Sequence, residues 1–174
     1  YDSLILPGAM DIRETIENWY KKNEINFRER AILITSLIYA SDKIANTCGH
    51  YDAYRENIDL KDDIFLKHLD IFHDKNSNNE IYNIDSNILF EQLNYNVDIV
   101  YADPPYNSRQ YSSLYHLVEN LARWKKPDVE GKASKMKNRK ELNSKYCNKT
   151  AIETFEELIS NVKAKYFILS YSNM

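Results

Sequence analysis

The feature that most constrains this chain is the run Val97-Asp98-Ile99-Val100-Tyr101-Ala102, followed at once by Asp103-Pro104-Pro105-Tyr106. An apolar run rich in β-branched and aromatic residues predicts a short buried strand. Proline has no amide donor and cannot continue a ladder, so the strand must stop at Asp103. In open α/β sheets, ligands bind beyond the carboxyl ends of the strands. The turn at 103–106 is therefore the expected reaction site.

The chemistry of that turn suits a planar amine. Two prolines remove two amide donors, so the Pro104 carbonyl projects without competition, and Asp103 adds an ionised acceptor. A carbonyl and a carboxylate aimed at one point match an exocyclic NH2, which offers two hydrogens. Tyr106 supplies a flat face for a heterocycle, worth about 1–3 kcal/mol per stacked base in single-strand binders. Such an amine is a poor nucleophile because its lone pair is delocalised into the ring. Acceptors on both hydrogens favour a pyramidal nitrogen and free the lone pair for in-line attack on an electrophilic methyl group. That is catalysis by positioning and electrostatics, with no covalent enzyme intermediate. A base buried in a duplex must be flipped out to reach such a site. The same clamp accepts adenine N6, cytosine N4 or an RNA base.

The rest of the chain supplies context. At 174 residues it is long enough for one sizeable core and one domain. Gly8, Gly49 and Gly131 stand alone, so there is no Gly-x-Gly loop to cradle a phosphate or cofactor. A formal charge of −3 gives no global case for a polyanion partner and does not exclude one. Cys48 and Cys147 are too few for a disulfide framework or a four-ligand zinc site, and the four histidines lack ligand spacing, so no metal is expected. Neither a signal peptide nor a long apolar span is present in the sequence, which predicts no membrane partner and a reducing cytoplasm.

In chain order, the apolar piece Leu4-Ile5-Leu6 reads as a severed end. A helix is expected from Asp11, capped by it, with Ile12, Ile16, Trp19 and Tyr20 on one face. A second helix is expected over 26–46, ended by Gly49. The polar and aromatic cluster at 44–55 is either a helix end or a ligand-facing loop. Residues 59–73 look connective, and 74–80 a solvated turn. Ile81-Tyr82-Asn83-Ile84 is a strand candidate ending at Asp85, a short helix follows, and together with 97–102 this predicts a compact βαβ unit. Asp85 and Asp103 are then expected at one sheet edge. A helix follows at 114–124, with Leu114, Leu117, Val118, Leu121 and Ala122 inward. Residues 125–149 hold nine Lys or Arg against three acids and read as a functional or merely solvated loop. Thr150 is placed to cap a last helix, and Tyr166 to Tyr171 form another buried strand.

These residues carry a family resemblance. Asp103-Pro104-Pro105-Tyr106 matches the fourth motif of the amino-methyltransferases. The run from Tyr101 through Ser112, the segment Tyr115-His116-Leu117-Val118-Glu119-Asn120-Leu121-Ala122-Arg123, residues 40–47, residues 51–54 and the terminal Leu169-Ser170-Tyr171-Ser172-Asn173 resemble the FokI-type branch of bacterial N6-adenine DNA methyltransferases. The resemblance runs from about Asp11 to the end. It implies an α/β chain with an incomplete Rossmann-like methyltransferase sheet and a helical insertion. On this reading, 1–174 is a single partial domain, with 11–75 the mainly helical insertion and 81–174 the βαβ catalytic part.

The resemblance further implies S-adenosylmethionine as methyl donor, double-stranded DNA as partner and a place in a bacterial, nucleoid-associated restriction-modification system. Asp103, Pro104, Pro105 and Tyr106 take the catalytic positions. Asp85 and Ser86, with Asp103 and Pro104, take the cofactor side, Asp85 at the acidic position that approaches the adenosine. Tyr106, Asn107, Arg109, Gln110 and Tyr111 order the pocket or meet DNA. The family's glycine-rich first motif and its acidic ribose-binding residue are expected upstream of Tyr1, in a missing N-terminal part. The chain alone is then expected to bind the donor weakly and methylate poorly. The alternative from another class is a non-catalytic DNA-binding or partner subunit that retains the fold.

Overall fold

A computed structural model of the chain describes residues 7–47, 49–53, 63–70, 78–131 and 133–171. Its elements are α1 (Pro7–Lys21), α2 (Phe27–Ile44), α3 (Ser86–Gln92), β1 (Val97–Ala102), α4 (Tyr111–Leu114), α5 (His116–Arg123), β2 (Val129–Glu130), β3 (Lys135–Met136), α6 (Ala151–Asn161) and β4 (Ala164–Leu169), with short 3-10 turns at Arg139–Leu142 and Lys145–Cys147. The readings that fell on Leu4-Ile5-Leu6, Cys48, 54–62, 71–77, Ser172 and Asn173 lie outside the described residues. Among the described residues no helix is long and apolar enough to cross a membrane. The chain divides into two compact units, Tyr1–Phe72 with Tyr111–Leu142, and His73–Gln110 with Asn143–Met174.

The first unit is helical. α1 begins at Pro7, four residues before the expected cap, where the fixed φ of proline suits a first helical turn. Asn26 starts α2 through a reciprocal capping box. Its side chain accepts from the Glu29 amide at 3.0 Å, and the Glu29 carboxylate accepts from the Asn26 amide at 2.7 Å. The helix ends at Ala45 rather than at Gly49, which lies beyond it with φ +89°. The expected 114–124 helix is two pieces, α4 and α5. Leu117 and Leu121 close a core with Ala9, Ile16, Ile34, Leu37 and Tyr51. That burial draws 111–142 into the helical unit, although the expected division placed them with the catalytic strands.

A charged residue completes this core. The Arg13 side chain is fully buried, donates to the Leu121 carbonyl at 2.8 Å, and pairs with Glu17 at 2.9 Å. Trp19, expected on the same apolar face, is 41% exposed instead. His116 is also fully buried, with its ring nitrogens 2.8 Å from the Ser113 carbonyl and 2.7 Å from that of Ala133. It ties α5 to the hairpin of β2 and β3, whose connection carries Gly131 at φ +72°. The basic stretch is therefore tied into this unit at several points. Lys126, Lys135 and Arg139 in it are ion-paired with Glu14, Asp52 and Glu130.

The second unit holds a two-stranded parallel sheet. β1 pairs with β4 in the register Val97↔Ala164 through Ala102↔Leu169, and the Ser170 amide extends it by donating to the Ala102 carbonyl at 2.9 Å. Residues 81–84, the expected first strand, are not in the sheet, and Ile81 is 96% exposed. The parallel partner comes instead from after β1, with α6 immediately before it as crossover helix. α6 covers the face that carries Val100 and Phe167, and Phe155 meets Phe167 edge-on at 6.1 Å between ring centroids. Neither strand is buried throughout, as expected of both: Ile99, Tyr101, Tyr166 and Ile168 are exposed on the opposite face.

Candidate active site

The turn at 103–106 leaves β1 where the sequence places it. Asp103 and Tyr106 are exposed, and Pro104 and Pro105 are half-buried. Asp103 makes no hydrogen bond among the described residues, so its carboxylate is open to a donor. Tyr106 is held by Tyr171, just past β4, in an edge-to-face contact of 6.4 Å between centroids. The two strand ends thus meet through their aromatic residues.

Beside this turn lies an open cleft of about 400 Å³. Pro104 and Pro105 form one side, Leu169 and Tyr171 another, and the first turns of α6 contribute Ile152, Phe155 and Glu156. Tyr146, from the 3-10 turn at Lys145–Cys147, completes it. The walls are mainly apolar, and Glu156 supplies a carboxylate.

Asp85 is not at a strand end. It is the N-cap of α3, accepting from the Asn87 amide at 2.9 Å, because an Asp ahead of Ser86 and Asn87 satisfies the first amides of a helix. Asp85 and Ser86 still come close to the cleft, through Tyr146. The Tyr146 hydroxyl donates to Asn87 Oδ1 at 2.7 Å, and Asn87 Nδ2 donates to the Thr154 carbonyl and to Glu157 at 2.9 and 2.8 Å. Burial raises the phenol's pKa, a hydrogen bond with Ser86 opposes it, and the negative charges of Asp85 and Glu157 add to it. The phenol therefore stays a protonated donor.

The remaining sequence candidates separate by role. Asn107 accepts from the Arg109 amide at 2.9 Å and shapes the turn. Gln110 is consumed structurally: it accepts from the Ser144 amide at 2.8 Å and donates to the Ser144 carbonyl and Asn148 at 3.1 and 3.2 Å. Among the described residues the exposed Arg109 side chain has no ion pair, which leaves it available to an anion. Tyr111 opens α4 in the helical unit and meets Tyr115 edge-on at 5.4 Å. Cys147 is a buried thiol that donates to the Arg109 carbonyl, and burial raises its pKa, so it is unsuited to nucleophilic attack. In the helical unit, Tyr51 of the loop after α2 is buried and its hydroxyl donates to Asp42 at 2.6 Å.

The sequence alone does not point to Tyr146 or Glu156. One signal was present, since Tyr146 is the lone aromatic residue among 125–149.

A family model described as D12 class N6 adenine-specific DNA methyltransferase matches residues 9–173. The chain belongs to this family. Among curated relatives of this methyltransferase chain, the modification methylase StsI of Streptococcus sanguinis is 40% identical over 165 residues. The type II methyltransferase M.FokI of Planomicrobium okeanokoites is 38% identical, and M.NlaIII of Neisseria lactamica is 34% identical. All three alignments take in 93% of this chain. They cover 25% of StsI, 25% of M.FokI and 48% of M.NlaIII, so the methyltransferase chain spans a quarter to a half of these relatives' lengths. No solved structure matches it.

Proposed function

We propose that the protein methylates the N6 amine of an adenine flipped out of double-stranded DNA, with S-adenosylmethionine as donor, in a restriction-modification system. The observation that carries this reading is the position of Asp103-Pro104-Pro105-Tyr106 at the carboxyl end of a parallel strand, beside an apolar cleft, in a chain of this family.

Asp103 accepts one hydrogen of the amine and the Pro104 carbonyl the other, while Tyr106 offers its ring face to the base. Because Asp103 is exposed, the proton that leaves the amine after transfer passes to bulk water. Arg109, exposed and without an ion pair among the described residues, suits a DNA phosphate. The donor group fits the chemistry present: apolar cleft walls for a ring, the Glu156 carboxylate among them to accept from an amine or hydroxyl, and the exposed Asp103 at the adjoining turn. When bound, S-adenosylmethionine supplies an electrophilic methyl. Asp85, Ser86, Asp103 and Pro104 are the residues that would hold it.

The test is methyl transfer from isotopically labelled S-adenosylmethionine to duplex DNA by the full-length protein, with nucleoside mass spectrometry of the product. N6-methyladenine is expected. N4-methylcytosine, transfer to RNA alone, or stable duplex binding without any transfer would each overturn the reading.

A further inference from the structure

We propose that Tyr146 is a positioning residue that forms the aromatic wall of a slot for an adenine ring. This rests on the function proposed above and extends it to a residue from a part of the chain that reads as a basic loop.

Three observations converge on Tyr146. It lines the cleft together with Pro104 and Pro105, the same prolines that follow Asp103. Its hydroxyl is spent on Asn87 at 2.7 Å, which fixes the ring's position while leaving the ring as part of the cleft wall. Its backbone is held from both sides. The Tyr146 amide donates to Ser144 Oγ at 3.2 Å, Ser144 is bonded twice to Gln110, and the neighbouring Cys147 donates to the Arg109 carbonyl. The 3-10 turn is thereby anchored to the segment just beyond Asp103-Pro104-Pro105-Tyr106.

Asn87 is itself saturated by Thr154 and Glu157, so the phenol has a fixed acceptor rather than a mobile one. A ring held this way loses little entropy when it stacks on a ligand. The size of the cleft, about 400 Å³, admits a purine, and its surroundings suit one: apolar walls for the faces and Glu156 to accept from an exocyclic amine. Two adenine rings meet in this reaction, that of the target nucleotide and that of the donor. The chemistry of the slot is common to both.

Tyr146→Leu keeps an apolar side chain and loses the aromatic face, while Tyr146→Phe keeps the face and loses the hydroxyl's bonds to Asn87 and Ser86. In the full-length protein, steady-state transfer is measured with KM for duplex DNA determined separately from the Kd for S-adenosylmethionine. Tyr146→Leu is expected to weaken one of these about tenfold, with kcat within about threefold and Tyr146→Phe restoring most of the loss. A raised DNA KM assigns the slot to the target base. A raised donor Kd assigns it to the cofactor. If the wild-type protein transfers methyl groups and both variants keep wild-type KM and Kd, the proposal is wrong while the functional reading stands. If the wild-type protein transfers none, it is the functional reading that fails, and the proposal falls with it.

Discussion

Asp103→Ala in the full-length protein is expected to lower methyl transfer by about three orders of magnitude, as loss of a preorganised electrostatic partner does at other sites, while the affinity for duplex DNA changes by less than about threefold. The first part follows from the role of the carboxylate. Without it one amine hydrogen has no acceptor, the lone pair stays delocalised, and the nitrogen remains a weak nucleophile. The second part follows from where duplex affinity comes from. Phosphate contacts dominate it, and Asp103 is an acid that no phosphate attracts. Because Asp103 is exposed and hydrogen-bonds to nothing among the described residues, its removal leaves no buried group unpaired, and the fold should not suffer. Asp103→Asn keeps an acceptor oxygen without the charge and should fall between the two. Transfer rates and filter binding measured on the same preparations separate the effects. Unchanged turnover in Asp103→Ala would remove the clamp from the account.

Glu17→Ala is expected to cost more stability than removal of its buried partner, Arg13. The Arg13 side chain has no solvent exposure, and Glu17 is the carboxylate that pairs with it. Truncating Glu17 leaves a buried cation without its bonded carboxylate, facing the carbonyls of Leu121 and Ala122 and the Trp124 ring, a situation that costs about 3–5 kcal/mol. Arg13→Met removes the charge together with its desolvation penalty, and Glu17 keeps Arg30 at 2.8 Å. The main loss is then one buried carbonyl's partner, about 1–3 kcal/mol.

The same pair sets an acid limit. Burial is the largest influence on Glu17 and raises its pKa, but the hydrogen bonds and charges of Arg30 and Arg13 outweigh it and hold the folded value below 4.5. Its contribution is complete above that unfolded-state value and is lost as pH falls through the folded one. Glu17→Gln should flatten this dependence. Hydrogen exchange of α1 and α5 peptides, alongside chemical unfolding, reads both effects. A smaller loss for Glu17→Ala than for Arg13→Met would show that the pair is organised differently.

What the sequence revealed and concealed divides along physical lines. β1 and its stop were legible because proline chemistry and β-branched residues act locally, and the helical stripe around Leu117 and Leu121 was legible by its period. The sheet partner was not: Val97 pairs with Ala164, and no local pattern reports so distant a ladder. The apparent strand at 81–84 had suitable residue types but no pairing, and Asp85 instead satisfied a helix start. The burial of Arg13 was not legible, because a charged residue at core spacing reads as solvent-facing until its partners are known. At the candidate site, the turn itself was readable, whereas Tyr146 depended on a bond to Asn87, far earlier in the chain. The bonds of Gln110 to Ser144 were hidden for the same reason, since no local pattern reports that partner.

The most direct test of the account is a crystal structure of the full-length protein on duplex DNA carrying the methylated site, with a non-transferring analogue of S-adenosylmethionine. The target adenine is expected outside the helix, with its N6 within about 3.2 Å of both an Asp103 carboxylate oxygen and the Pro104 carbonyl. An adenine still stacked in the duplex, or flipped with N6 held by other residues, would contradict it.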